Sequence, residues 1–324
     1  MKTERLVLLM CLLVLGSESL AGNDPYQEFS ITANPNRVWS YGLTTTLGGA
    51  FTPYPEAHPD YLGVQGSDIW NAGPSLCSDQ RAPEVGRIQE QLFLGLVPVP
   101  PDTLYVHPGC SGQYSIVRWT APLAGIYLIR GSFPGLVGQI STTDVHILLD
   151  SVTSLLNKEV KGPGDAALFN FQQQVRAGDT LDFAVGFGHD GNYYGDSMGL
   201  QLTIDLLVNV DIRPGQFPNI IQANTPGSIP VAILSSSTFN AVTRVDTTSL
   251  TFGRIGDEKS LEFRSTPPQA VCQDGDVNGD GRLDLVCQFR QKVSGFQAGD
   301  SVGILRGRTH GGISFKGTDS VVIQ

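Results

Sequence analysis

In the segment Asp276-Val-Asn-Gly-Asp-Gly-Arg-Leu-Asp284, side-chain oxygens stand at the first, third, fifth and ninth positions, and glycine stands sixth. Alternating acid and amide residues on a tightly curled loop aim their oxygens at one centre. A hard divalent cation of calcium's size takes roughly six to eight such oxygens from carboxylates, carbonyls and water. Gly281 sits where the backbone must turn sharply and a side chain is costly. Arg282 offers its backbone carbonyl. The predicted Ca2+ ligands are therefore Asp276, Asn278, Asp280, Arg282 and Asp284, with Asp274 either a further oxygen or a solvated carboxylate.

The residues around this loop read as strand. Leu283-Asp-Leu-Val-Cys-Gln-Phe289 alternates, and Cys272 and Cys287 are nearly equidistant from Asp280. A hairpin centred on the loop sets those two cysteines opposite each other, and a bridge there would staple its arms. The twelfth loop position, where an EF-hand carries a bidentate glutamate, is Cys287. The loop instead resembles the Asp-x-Asp/Asn-x-Asp-Gly-x-x-Asp turns that join β-strands in propeller repeats and many bacterial secreted domains.

The other elements that must hold this loop follow from punctuation and period. Glycine (38) and proline (20) are frequent and charged residues are 16%, a composition of short strands and turns rather than helices. Alternating stretches at Tyr114–Thr120, Ile126–Arg130, Asp144–Leu149, Leu181–Val185 and Leu200–Leu206 predict strands of a sandwich or barrel. Val208–Ile212, Pro230–Leu234, Ser249–Phe252, Leu283–Phe289 and Ser301–Leu305 predict a second set. Residues 22 to about 100 read as irregular, with turn formers at Asn34-Pro-Asn36, Thr52-Pro-Tyr-Pro55 and Val97-Pro-Val-Pro-Pro101.

The N-terminus has the layout of a secretory signal. Lys2 and Arg5 precede an apolar run from Leu6 to Leu15, and Ser19-Leu20-Ala21 offers small residues for cleavage after Ala21. The run is shorter than the ~20 residues that span a bilayer. No later segment is apolar enough to insert, and Ser320-Val-Val-Ile-Gln324 carries no sorting tail, so a secreted mature chain is expected. Removing Cys11 with the signal leaves Cys77, Cys110, Cys272 and Cys287. Four cysteines in an oxidising compartment allow three pairings, of which Cys77–Cys110 with Cys272–Cys287 is the simplest. The net charge is -10, and the signal's two bases and two acids leave it unchanged. With no basic cluster, such a surface repels nucleic acid and anionic membranes and suits neutral or cationic ligands.

Residues 208–324 resemble a recurrent module of bacterial exported proteins, through Val208-Asn-Val-Asp-Ile-Arg-Pro-Gly215, Phe217-Pro-Asn-Ile220, Ile229-Pro-Val-Ala-Ile-Leu234, the Asp276–Asp284 loop and Gly299-Asp300. That module implies a structural or adhesive role. Residues 36–206 resemble a jelly-roll module of the carbohydrate-binding type, through Val38-Trp-Ser-Tyr-Gly42, Leu104-Tyr-Val-His-Pro-Gly109, Val117-Arg-Trp-Thr-Ala-Pro122, Thr142-Thr-Asp-Val-His146 and Ala177-Gly-Asp-Thr-Leu-Asp-Phe183. This resemblance implies a non-catalytic glycan-binding fold. The expected organisation is all-β: a signal peptide at 1–21, a jelly-roll β-sandwich at 22–207, and a smaller calcium-loop β-sandwich at 208–324.

A sugar-binding face needs aromatic rings for pyranose faces and carboxylates or amides for hydroxyls. Trp39 and Trp119 lie inside recurring motifs and read as core. Trp70, Tyr193 and Tyr194 lie in Gly/Asp-rich sequence and are the candidate stacking residues, with Asp190 and Asp196 as hydroxyl partners. The stretch His189–Asp196 reads as a second ion site, a ligand face or a polar turn. His107 and His146 read as structural. There is no Gly-x-Ser-x-Gly, His-Glu-x-x-His or dinucleotide fingerprint. The expected function is a secreted, non-catalytic calcium protein binding carbohydrate, with a jelly-roll polysaccharide lyase or hydrolase and a structural matrix component as alternatives. No residue pattern specifies an oligomeric state.

Overall fold

A computed structural model describes residues 23–74, 76–77, 82–94, 97–136, 141–264 and 268–324. The expected signal peptide, residues 1–21, lies outside the described residues. The chain is all-β. Its principal strands are β1 (Trp39–Thr44), β2 (Ser67–Asn71), β3 (Glu84–Ile88), β4 (Thr103–His107), β5 (Tyr114–Thr120), β6 (Gly125–Pro134), β7 (Thr143–Leu149), β8 (Thr153–Val160) and β9 (Ala166–Val175). They continue with β10 (Thr180–Gly186), β11 (Gln201–Leu207), β12 (Val210–Ile212), β13 (Ser228–Ile233), β14 (Val245–Gly253), β15 (Cys272–Gly275), β16 (Asp284–Arg290), β17 (Val302–Thr309) and β18 (Ser314–Ser320).

Sheet one runs β8-β7-β10-β5-β1, with the short strand Thr52–Pro53 at its edge. It packs on a second layer made of sheet two (β9-β6-β11) and sheet three (β4-β3-β2, flanked by Met198–Gly199 and Glu56–His58). Trp39, Tyr41 and Trp119 are fully buried between the layers, and Trp119 meets Tyr127 edge-on at 4.8 Å between ring centroids. Each such aromatic removes about 150–250 Å² from water, a gross gain of roughly 4–6 kcal/mol. Leu181, Phe183 and Val185 share the inner face of β10 as their alternation predicts.

The region expected to be irregular contains β1, β2 and β3. The two residues that read most like loop in β2, Asp68 and Asn71, are buried and hydrogen-bonded through their side-chain oxygens. Asp68 pairs with Arg87 at 2.6 Å, and Asn71 Oδ1 accepts from the Gly73 N–H at 2.9 Å. The strand is covered on both faces, so no polar/apolar alternation marks it.

Sheet four, β12-β13-β16-β15, forms the smaller sandwich against the far half of sheet two. Phe252 of β14 and Phe289 of β16 meet there at 5.1 Å. The expected boundary at 207/208 falls where the chain leaves sheet two for sheet four. Hydrogen bonding does not stop there. β11 pairs in parallel with β18 (Leu206 with Phe315, Leu207 with Lys316), so sheet two runs on as β9-β6-β11-β18-β17-β14. Asn23 Oδ1 accepts from the Ser314 N–H at 3.2 Å, and one hydrophobic core extends from Phe29 to Val321.

Both disulfides join the expected partners, Cys77–Cys110 and Cys272–Cys287. Among the described residues no helix is long and apolar enough to cross a membrane.

Candidate functional site

The loop Asp276–Leu283 joins β15 to β16, whose register places Cys272 opposite Cys287 and Gly275 opposite Asp284. Asp276 organises the loop. Its Oδ1 accepts from the Gly279 and Asp280 N–H groups at 2.8 and 3.1 Å, and its Oδ2 accepts from Gly281 N–H at 2.9 Å. Asn278 Oδ1 and Asp280 Oδ1 close two further turns on the N–H groups of Asp280 and Arg282. Gly279 and Gly281 hold φ of +75° and +82°, the left-handed region that a side chain disfavours.

Asp276, Asn278 and Asp280 are exposed, whereas Asp284 is completely buried. Its Oδ1 accepts from Ser235 N–H at 2.8 Å and its Oδ2 from Val277 N–H at 3.2 Å. Asp284 thus ties the loop to the segment after β13. The donor set is all oxygen and includes three carboxylates, chemistry that fits a hard cation. Apart from Asp276 Oδ1, which already accepts two N–H bonds, each of these carboxylate oxygens has a second lone pair to offer. Among the described residues no three His, Cys, Asp or Glu side chains converge closely enough to hold a metal.

The predicted stacking residues separate. Trp70 lies in β2 rather than in a loop; it is 8% exposed, and its Nε1–H donates to the Ser30 carbonyl at 2.8 Å, so it presents no ring face to a ligand. Tyr193 is buried against Cys77 and Ala82, edge-on to His107 at 5.9 Å. Tyr194 is half exposed and lies against Tyr193 at 4.5 Å between centroids. Asp190 is exposed and accepts from Asn192 N–H at 2.9 Å. Asp196 points inward: Thr143 Oγ1 donates to its Oδ1 at 2.6 Å, while its Oδ2 is buried without a partner. Burial pushes Asp196 up to about 7, helped by the charges of Asp190 and Asp144, so it holds a proton near neutrality.

Asp144 is the opposite case. Burial raises it, but hydrogen bonds from His146 Nε2, Tyr114 hydroxyl and Gly188 N–H outweigh that and hold it below the usual carboxylate range. Of the five candidates, only Tyr194 and Asp190 face solvent. His146 is buried and paired, as expected of a structural histidine.

A cleft that no local pattern marks opens where sheets two and three part. It has a volume of about 510 Å³ and draws its walls from the turn Asp24–Gln27, the turn Pro100–Thr103, the end of β6 and the start of β11. Tyr26 hydroxyl donates to Asp102 Oδ1 at 3.0 Å across it, and Gln201 Oε1 accepts from Ser132 Oγ at 3.1 Å beside it. Burial, with Asp102 alongside, pushes the Tyr26 hydroxyl up to about 12. Its residues come from four separated segments, so sequence spacing could not assemble it.

No protein-family model and no curated protein matches this sequence. Among solved structures, the adhesin domain of Epf from Streptococcus pyogenes is similar at 11% identity and a TM-score of 0.31, covering 94% of this chain and 98% of that one. A β-glucosidase from Kluyveromyces marxianus, solved with glucose, is similar at 10% identity and a TM-score of 0.25 over 58% of this chain. This chain spans 19% of the length of that second structure.

Proposed function

We propose that this chain is a secreted, non-catalytic extracellular binding protein whose C-terminal hairpin is held in shape by calcium and whose jelly-roll half takes carbohydrate. The observation that carries the reading is the curl of the loop around Asp276, with Asn278 and Asp280 exposed beside it and glycine at the two left-handed positions. Asp276, Asn278, Asp280, Asp284 and the Arg282 carbonyl are the residues that would hold the ion. Bound there, Ca2+ would offset two of the three carboxylate charges and link both arms of a hairpin that Cys272–Cys287 already closes. Strands on both sides and a disulfide across the arms favour a static brace over a sensor that opens on binding. Two disulfides accord with an oxidising compartment.

Calorimetric melting with and without calcium tests the ion. At ten times its dissociation constant, a ligand bound to the folded chain alone adds about 1.4 kcal/mol. That corresponds to a rise of roughly 2–4 °C in a chain of this size. The rise is expected for the mature protein and is expected to vanish in Asp276→Ala/Asp280→Ala. An undiminished rise in that variant removes calcium from this loop. A glycan array followed by an assay for reducing-sugar release separates binding from turnover.

A further inference from the structure

We propose that the cleft between sheets two and three is the saccharide site, and that it takes a neutral sugar residue rather than an acidic one. The proposal rests on the carbohydrate reading above and locates it. The cleft is built by a change of sheet. Met198–Gly199 pairs with β4, Leu200 N–H still donates to the Leu104 carbonyl at 2.8 Å, and from Gln201 the chain pairs with β6 instead. The two sheets diverge at that point, and their parting leaves the opening. Its floor is close-packed, because a Cβ on Gly199 would come within 3.0 Å of the Pro134 ring. The cleft is therefore a surface feature over a filled core rather than a void in it.

The lining matches a sugar's two kinds of surface. Pro134 and the Tyr26 ring offer apolar faces for pyranose C–H groups. Asp102, Gln27, Gln201 and Thr203 offer carboxylate, amide and hydroxyl groups for sugar hydroxyls, which both donate and accept. With Gln201 Oε1 engaged by Ser132, its amide nitrogen is the group with hydrogens to give.

Charge selects among saccharides. Among the described residues no lysine, arginine or histidine lines the cleft, so a uronate or a sulfated sugar would bury its charge without a counter-ion in the lining. The two acids present are not bare charges. Asp24 Oδ1 accepts from the Tyr26 and Gln27 N–H groups, and Asp102 Oδ1 accepts from Tyr26 hydroxyl. Polar but already hydrogen-bonded carboxylates suit neutral hydroxyls better than a cation. A volume of about 510 Å³ lies within the ordinary range of ligand pockets.

Titration calorimetry of the full mature chain with cellotriose, xylotriose and mannotriose, and with trigalacturonate for comparison, tests this. At least one neutral trisaccharide is expected to bind, with trigalacturonate at least tenfold weaker. Gln201→Ala removes an exposed side chain and the acceptor for Ser132 Oγ, and is expected to weaken that binding about tenfold while the chain stays folded, its melting temperature lower by no more than a few degrees. Tyr26→Ala is expected to weaken it further. Undiminished binding in Gln201→Ala and Tyr26→Ala overturns the site while leaving carbohydrate binding intact. Preference for trigalacturonate overturns the neutral class. No binding of any trisaccharide by the mature chain overturns the carbohydrate reading and the site with it.

Discussion

His107 is buried at the end of β4, its Nδ1–H donating to the Pro108 carbonyl at 2.8 Å and its ring edge-on to Tyr193. Burial holds its pKa down from the usual 6.5 to about 4, although the carbonyl bond pulls the other way. The unfolded chain therefore binds a proton between those values that the folded chain refuses. Stability is full above about pH 6.5 and is lost as pH falls towards 4, by about 3 kcal/mol for this group. His107→Asn, which keeps an N–H for the carbonyl, is expected to flatten that part of the stability curve; equal slopes in both proteins by denaturant titration across the window would refute it. Reading His107 and His146 as structural needed only their place in strand motifs. The aromatic candidates were harder, because Tyr193 and Tyr194 are adjacent and differ only in which side of the turn they face.

The hairpin around Asp276–Leu283 is the element in which sequence and structure agree most closely. Its loop, its flanking strands and its disulfide were all legible from local spacing, because a hairpin's register follows from its centre. What spacing could not reveal is that Asp284, the ninth loop residue, is buried and holds the Ser235 and Val277 N–H groups. The bridge between Cys272 and Cys287 closes a loop over a separation of 15 residues. In the chain-entropy model this restricts the unfolded state by about 3 kcal/mol. Cys272→Ser/Cys287→Ser is accordingly expected to lower unfolding free energy by about that amount in urea titrations at fixed calcium. A cost under about 1 kcal/mol would mean the arms need no staple.

Across the whole molecule, sheet two is the joint. β6 and β11 from the first half and β18, β17 and β14 from the second share one hydrogen-bonded surface. Its outer face carries a row of charges: Arg130 pairs with Asp205 at 3.1 Å, and Lys316 lies directly opposite Arg306. Burial, then repulsion from Arg306 and Arg130, lowers the pKa of Lys316, while Asp205 across the seam opposes this. Like charges facing across a strand pair are destabilising alone, and carboxylates from both halves, Asp205 and Asp257, offset them here. A fragment ending at Leu207 bares the β11 edge and the apolar side chains that the second half covers. It is expected to melt below the full chain or to self-associate, as seen by calorimetry and light scattering. A monomeric fragment with the full chain's melting temperature would show that the halves fold independently.

Local chemistry, period and punctuation were enough to determine the all-β class, most strands after residue 114 and the oxygen-rich loop, and to make the observed cysteine pairing the simplest of three. Each of these depends on neighbours in sequence or on a simple count. The strands before residue 100, the burial of Trp70 and Asp196, the continuous sheet across residue 207 and the cleft beside Tyr26 depend on contacts between distant segments. A strand covered on both faces loses its alternation, and a cleft lined by four separate segments has no spacing to read. Only the packing of sheets two and three on sheet one, and the parallel pairing of β11 with β18, bring those segments together.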